Sequence, residues 1–440
     1  MTRTVVRGAR WPGDIAIRDG WIEEVGEVAP EPDDHVVEAG GGIVTAGFVN
    51  THHHLYQWLT RGRAVGSDLF GWLTELYPVW ARMNADDVHA AALVGLGELA
   101  LSGCTTAADH HYVVPGGDEA VFDALAEAAR QVGVRLHLAR GSMDLGESHG
   151  GLPPDHLVED RDTILASTAA VADRWHDGSR IVVTVAPCSP FTVTNELMME
   201  SAELARSRGL RLHTHLAETI EEQYDCLERF GCRPVEYAEE LGWIADDVWI
   251  AHGIHLDDGE ISQLGAARTG VAHCPSSNAR LGAGHCRVTD LIAAGAPVGL
   301  GVDGVASNEV GGLLPELRQA LYTARQRTGR AGDLLPADVL GMATEGGAAC
   351  LGRDDLGRLE PGQRADLVVW PAEDLDDIPD PVDALVLGPD RRARTVLVDG
   401  VAVVDDGALV GTDHTANRRA LTTHARRLWP DDTDLVGSPS

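Results

Sequence analysis

Near its start the chain alternates apolar and polar positions: Asp14-Ile-Ala-Ile-Arg reads as a strand, Asp19-Gly20 as a turn, and Trp21-Ile-Glu-Glu-Val as a second strand. The first forty residues therefore predict a small antiparallel sheet. From Ile43 to about Ala343 the pattern changes to short apolar runs alternating with stretches of helical period. One helix has both ends written in the sequence: Asn84 caps it, Asp86 and Asp87 suit the positive first turn, and Gly103 suits a left-handed residue before a strand at 104–109. Strands are expected near 43–50, 105–109, 134–139, 180–186, 211–215, 248–252, 271–274 and 298–303. Eight such βα units predict an α/β fold built on a (β/α)8 TIM-type barrel. A doubly wound sheet holding a dinucleotide would need a G-x-G-x-x-G turn after its first strand, and none follows. Strand chemistry returns after Leu356, in Ala365-Asp-Leu-Val-Val-Trp and Thr395-Val-Leu-Val-Asp-Gly-Val-Ala-Val-Val. The expected organisation is a small β-sandwich from residues 1–46 and 346–412, a catalytic barrel over 47–345, and a helix with a frayed tail over 413–440.

Barrel enzymes carry their chemistry at the C-terminal ends of the strands, and four of the expected strands end in ligand-type side chains. The first ends in Asn50-Thr51-His52-His53-His54, where alternation sends His52 and His54 to one side and His53 to the other. The fifth ends in His213-Thr214-His215-Leu216-Ala217-Glu218, the sixth in His252 and the eighth in Asp303. Imidazoles with a carboxylate suit a divalent first-row metal with one position open, which lowers the pKa of water toward neutrality. Glu218, three residues past His215, is placed to shuttle a proton without coordinating. His53, His110, His111, His213, His255, His273 and His285 are expected to support, pack or lie in loops. Asp109 is expected to be a supporting or turn carboxylate, and Cys188 and Cys274 small buried apolar residues.

Composition narrows the partners. The formal charge is −33, from 35 basic and 68 acidic residues, which points away from nucleic acid and anionic membranes and toward a small molecule. Every basic residue is arginine and lysine is absent, which removes Schiff-base chemistry, a Walker-type phosphate lysine and a carbamylated lysine bridging two metals. Seven cysteines without a C-x-x-C pair indicate neither a disulfide framework nor a thiolate zinc knuckle. With no visible secretory leader and no run of eighteen apolar residues, a soluble cytoplasmic protein is expected.

Segments across nearly the whole chain resemble the amidohydrolase superfamily, in its mononuclear branch of heterocycle deaminases and chlorohydrolases. They are Thr45-Ala-Gly-Phe-Val-Asn-Thr-His-His-His, His213-Thr-His-Leu-Ala-Glu-Thr, Ala251-His-Gly-Ile-His, Ala272-His-Cys-Pro-Ser-Ser-Asn, Gly299-Leu-Gly-Val-Asp-Gly-Val-Ala-Ser-Asn and Gly362-Gln-Arg-Ala-Asp-Leu-Val-Val. The resemblance implies one divalent metal, usually zinc, on His52, His54, His215 and Asp303; iron or manganese would accept the same donors. It implies Glu218 as proton donor to the ring, His252 as the group that polarises water, and Asp303 as the base. Gln57 falls where several such deaminases read the edge of the ring. Arg140-Gly-Ser-Met-Asp and Gly150-Gly-Leu-Pro-Pro-Asp resemble the 8-oxoguanine deaminase and triazine hydrolase branches, with Arg140 reaching a ring carbonyl if its loop turns inward. The implied function is metal-dependent hydrolytic deamination of an amino-oxo heterocycle, foremost 8-oxoguanine to urate and ammonia, by a homo-oligomeric enzyme. Isocytosine or guanine-type deamination and triazine hydrolysis are the alternatives within the fold. A non-catalytic barrel serving as an interaction protein is the alternative outside enzymology, and an intact set of catalytic positions argues against it.

Overall fold

The computed structural model describes residues 3–373 and 377–429. The described residues form seventeen strands, β1 to β17 in chain order. The first four are β1 (Thr4–Arg7), β2 (Asp14–Arg18), β3 (Trp21–Gly26) and β4 (His35–Glu38), followed by β5 (Ile43–Ala46). The barrel strands are β6 (Phe48–Asn50), β7 (Cys104–His111), β8 (Arg135–Ser142), β9 (Ile181–Pro187), β10 (Arg211–Leu216), β11 (Val248–His252), β12 (Gly270–His273) and β13 (Val298–Leu300). They close in sequence order, with every neighbouring pair parallel. The last four are β14 (Leu367–Trp370), β15 (Thr395–Val398), β16 (Val401–Asp405) and β17 (Ala408–Leu409). The main apolar core, where strands meet helices, is packed by residues such as Leu136, Leu138, Val183, Leu212 and Ile250, each of which stabilises the fold by roughly 1.5–3 kcal/mol on full burial.

Two expectations are corrected at the chain ends. The run 43–50 is two strands: β5 pairs antiparallel with β14 in a five-stranded sheet, and only β6 enters the barrel. Gly47 is the crossing point, because a β-carbon there would lie 2.2 Å from Thr105 Oγ1. The N-terminal sheet, in the order β3-β2-β1-β4, is mixed, since β1 and β4 run parallel. The two sheets enclose a second apolar cluster that joins Val6, Ile15, Ile17 and Ile22 to Val44, Leu367, Val369 and Leu397. The sheets from the chain ends are fastened to the barrel by Arg135 of β8, which is fully buried and donates to both carboxylate oxygens of Asp366 at 2.8 and 2.9 Å and to Asp399.

The helix Ala85–Leu101 is capped by Asn84 as expected, and the structure adds a capping box in which Asn84 and Asp87 exchange hydrogen bonds; Gly103 is left-handed. The boundary expected at residue 346 falls beside a helical turn, Gly347–Cys350, that packs on β12 and β13. A C-terminal helix, His414–Leu428, is present; the tail expected after it falls on 430–440, outside the described residues. Among the described residues no helix is long and apolar enough to cross a membrane.

Candidate active site

At the C-terminal mouth of the barrel the sequence-predicted donors converge. Nε2 of His54 lies 3.2 Å from Nε2 of His215 and 3.2 Å from Asp303 Oδ1, and His52 Nε2 lies 3.4 Å from the same oxygen. His252 Nε2 stands 4.0 Å from Asp303 Oδ2 and 3.6 Å from Glu218 Oε1. His252 and Asp303 both have positive φ, +75° and +58°, so the backbone turns at each strand end to bring these side chains inward.

The outer nitrogen of each imidazole is hydrogen-bonded, and that fixes what the inner nitrogen offers. Nδ1 of His54 donates to the His110 carbonyl at 2.6 Å, Nδ1 of His215 to the Cys188 carbonyl at 2.7 Å, and Nδ1 of His252 to Asn278 Oδ1 at 2.9 Å. His52 is held through a relay: His213 Nδ1 donates to the Trp249 carbonyl at 2.8 Å, so its Nε2 accepts from His52 Nδ1, also at 2.8 Å. Each Nε2 is left as a lone pair facing the others. Burial keeps His52 and His215 neutral, pushing the first down to about 3 and the second well below the usual imidazole range.

Two inward lone pairs 3.2 Å apart with no proton between them, and a buried His52 Nε2 with no hydrogen-bond partner, are a donor set that a cation satisfies. His52, His54 and His215 form one group whose ligand atoms lie mutually close enough to hold a metal, and His52, His252 and Asp303 form another. His110 and His213 also approach His52, but the relay already occupies His213 Nε2. Asp303 is itself steadied, Oδ2 accepting from Ser277 Oγ at 2.6 Å and Oδ1 from the Gly304 N–H at 2.7 Å.

Glu218 follows Ala217, a left-handed residue, and is buried in the wall of the same pocket. Burial pushes its carboxyl up to about 8, with the charge of Asp303 adding to the rise and His54 opposing it. The turn is held by Glu222, whose carboxylate accepts the N–H groups of Ala217 and Glu218 at 2.7 and 2.9 Å. Gln57 sits in the 3-10 helix Leu55–Thr60 and also lines the pocket. Asp109 starts that helix by accepting the Leu55 N–H at 2.6 Å, the supporting role expected of it. Leu69, Trp72, Leu73, Phe191 and Leu281 supply the apolar walls, and Ser189 and Ser307 add hydroxyls. The free space inside for a water-sized sphere is small, about 30 Å³.

Arg140 is corrected. Its guanidinium is buried away from the pocket, donating to Glu159 at 2.8 and 3.0 Å, to Ser167 Oγ at 3.1 Å and to the Gly141 carbonyl at 2.7 Å. On β8 it shares a face with Leu136 and Leu138, which pack between strands and helices, so the turn toward substrate does not occur. Cys188 and Cys274 are buried thiols whose pKa values burial raises, Cys188 to about 12 and Cys274 well above the usual thiol range, which fits the inert role expected of them. Sequence reasoning missed Ser277, Asn278 and Glu222. Thr219 caps the helix Ile220–Phe230 by accepting the Glu222 N–H at 3.3 Å, and the Thr-x-x-Glu spacing is a sequence signal for the last of these.

A closed parallel barrel with imidazoles and a carboxylate gathered at its strand ends is the architecture of a metal-dependent hydrolase. The chain belongs to the amidohydrolase family, whose model matches residues 43–403. It is 48% identical over 435 residues to the 8-oxoguanine deaminase of Pseudomonas aeruginosa, covering 94% of this chain and 97% of that one. It is 35% identical to the hydroxydechloroatrazine ethylaminohydrolase of Pseudomonas sp. strain ADP, covering 97% of this chain and 92% of that one. Among solved structures, atrazine chlorohydrolase from Arthrobacter aurescens TC1 complexed with zinc superposes with a TM-score of 0.91 at 30% identity, covering 96% of this chain and all of that one. The protein is a hydrolase acting on C–N bonds, with a site suited to a divalent metal.

Proposed function

We propose that the protein is a zinc-dependent deaminase that hydrolyses 8-oxoguanine to urate and ammonia. The observation that carries the reading is that Glu218, His252, Gln57 and Asp303 share one pocket wall with His54 and His215. His52, His54, His215 and Asp303 would hold the metal, which would supply an activated water at neutral pH. Glu218, protonated at neutral pH because it is buried, delivers its proton to ring nitrogen N3 and makes C2 electrophilic. Asp303 takes a proton from the attacking water, and His252, whose Nε2 faces both carboxylates, orients that water. Asp303 returns the water's proton to the 2-amino group, the bond from C2 to that amine breaks to release ammonia, and the C2 hydroxyl gives its proton back to Glu218 as the carbonyl forms. The Gln57 amide offers one donor and one acceptor, the pair required by an N1–H and C6=O lactam edge. The substrate choice draws further support from the 48% identical relative in Pseudomonas aeruginosa.

Ammonia release across aminated purines, pyrimidines and triazines tests the reading, with 8-oxoguanine expected to give the highest kcat/KM. A higher value for isocytosine or a hydroxytriazine would overturn the purine assignment, and release of chloride or an alkylamine would favour triazine hydrolysis. Glu218→Gln is expected to keep its metal while kcat falls by about 10² to 10⁴-fold.

A further inference from the structure

The segment Ala272-His-Cys-Pro-Ser-Ser-Asn runs from the end of β12 into the helix Pro275–Arg280 and carries Ser277, which meets Asp303, and Asn278, which meets His252. Its first polar residue, His273, has no part in those contacts. It is 3% exposed, and neither ring nitrogen has a hydrogen-bond partner among the described residues. Asn278 is 2% exposed and spends Oδ1 on His252, while its Nδ2 is likewise buried without an acceptor. Burial keeps His273 neutral by pushing it down to about 3, so its ring has one N–H to donate and one lone pair to accept.

Both residues line one cavity of about 10 Å³, with Thr323 of the helix Leu313–Thr328 and the exposed His285 among its other walls. It shares no lining residue with the pocket at the barrel mouth. The space fits about one water, which when buried needs 2–4 polar partners. Thr323 gives its hydroxyl proton to the Gln319 carbonyl at 2.9 Å, so its oxygen is left to accept. The orientation of the Asn278 amide decides what His252 offers the barrel mouth. Turned over, the amide would point Nδ2 at His252 Nδ1, and the imidazole proton would sit on Nε2, where it could no longer accept from the attacking water. The Asp303 carboxylate, 4.0 Å from Nε2, favours that alternative, so the amide needs a restraint at its other end.

We propose that this cavity is a water site that sets the tautomer of His252, with His273 as a positioning residue. One water accepts from Asn278 Nδ2 and donates to the lone pair of His273 and to the Thr323 oxygen. Both of its protons are then committed, so only a donor, the amide nitrogen, can face it. Oδ1 is thereby left toward His252, and Nε2 stays a lone pair. The inference rests on the water-orienting role proposed for His252 above.

In crystals of the metal-loaded full chain, a water is expected within hydrogen-bonding distance of Asn278 Nδ2 and of one His273 ring nitrogen. Heteronuclear NMR of the histidine-labelled full chain, with His252 assigned by the loss of its signals in His252→Asn, should show the Nδ1–H tautomer in the parent and the Nε2–H tautomer in His273→Phe. That variant should lose about 10 to 100-fold in kcat while KM and metal content stay within about twofold. His273→Gln, whose carbonyl can accept from the water, should keep most of the parent's kcat. No bridging water or an Nε2–H tautomer in the parent would overturn the proposal. So would parental kcat in His273→Phe, a loss of kcat there without a change of tautomer, or an equal loss in His273→Gln. Should His273→Phe fail to fold, the water and the tautomer of the parent still decide. Both are read without turnover, so their failure is distinct from failure of the deaminase reading.

Discussion

A β-carbon built on Gly304 would stand 1.7 Å from Oε1 of Gln57, so the amide reaches the pocket wall only because residue 304 has no side chain. Gly304 also donates its N–H to Asp303, which ties the position of the amide to that of the carboxylate. Gly304→Ala is therefore expected to displace Gln57 and to lower kcat/KM by about 10 to 100-fold, the scale of an ångström of misplacement. Metal content should hold. Steady-state kinetics with metal analysis checks this, and unchanged kinetics would show that Gln57 does not meet the substrate.

The relay from Trp249 through His213 to His52 makes a separate demand on metal affinity. Replacing His213 with Phe removes the acceptor that holds His52 in its Nδ1–H tautomer, and metal affinity should fall by about 10 to 100-fold. His215→Ala, which deletes an inward nitrogen outright, should lose most of the metal. Competition with a chelator of known affinity separates the two. If His213→Phe binds metal like the parent, the relay has no role in orienting His52.

Glu316 provides a pH dependence of its own, to which the charge of Asp303 adds. It is buried, accepts from the Ser276 N–H at 3.2 Å and from Asn308 Nδ2 at 2.9 Å, and burial pushes it up to about 7. A carboxyl whose folded pKa lies above its unfolded value of 4.5 stabilises the folded state at low pH and loses that contribution as pH rises to about 7. Glu316→Gln does not titrate, so relative to the parent it should gain stability between pH 5 and pH 8, by at most about 3 kcal/mol. Urea midpoints at the two pH values check this. The buried neutral histidines His111 and His273 destabilise both proteins equally as pH falls below 6.5 and cancel in the difference. Parallel pH profiles would mean that Glu316 folds ionised.

A charge of −33 leaves net self-repulsion despite the arginine ion pairs on the surface. The melting temperature is expected to rise between low and moderate NaCl, as screening weakens the repulsion more than it weakens exposed pairs. A falling melting temperature over that range would contradict the expectation.

The positions of His52, His54, His215, His252 and Asp303 were legible because strand alternation and strand-end placement are local properties. Arg140 was expected in a loop beyond a strand ending at residue 139, but β8 runs on to Ser142, so Arg140 keeps the parity of Leu136 and Leu138, and that face looks to the helices. The break at Gly47 was hidden because 43–50 is almost continuously apolar, and only the close approach of Thr105, from a distant segment, explains the glycine. The roles of His213, Ser277 and Asn278 were not legible for the same reason, since each acts on a residue at least 26 positions away.

The pairing of Ile43 with Trp370 in the β5–β14 ladder also sets an order of assembly. During synthesis at about 5–20 residues per second, β5 emerges roughly 15–65 s before its partner exists. Arg135 likewise leaves the ribosome long before Asp366 and Asp399 can neutralise it. The barrel strands can all be present while this end of the protein still exposes an apolar strand and a buried-to-be cation. The nascent chain therefore passes through a stage with both groups uncovered, and the segment from Asp366 to Asp399 acts as the clasp that ends it.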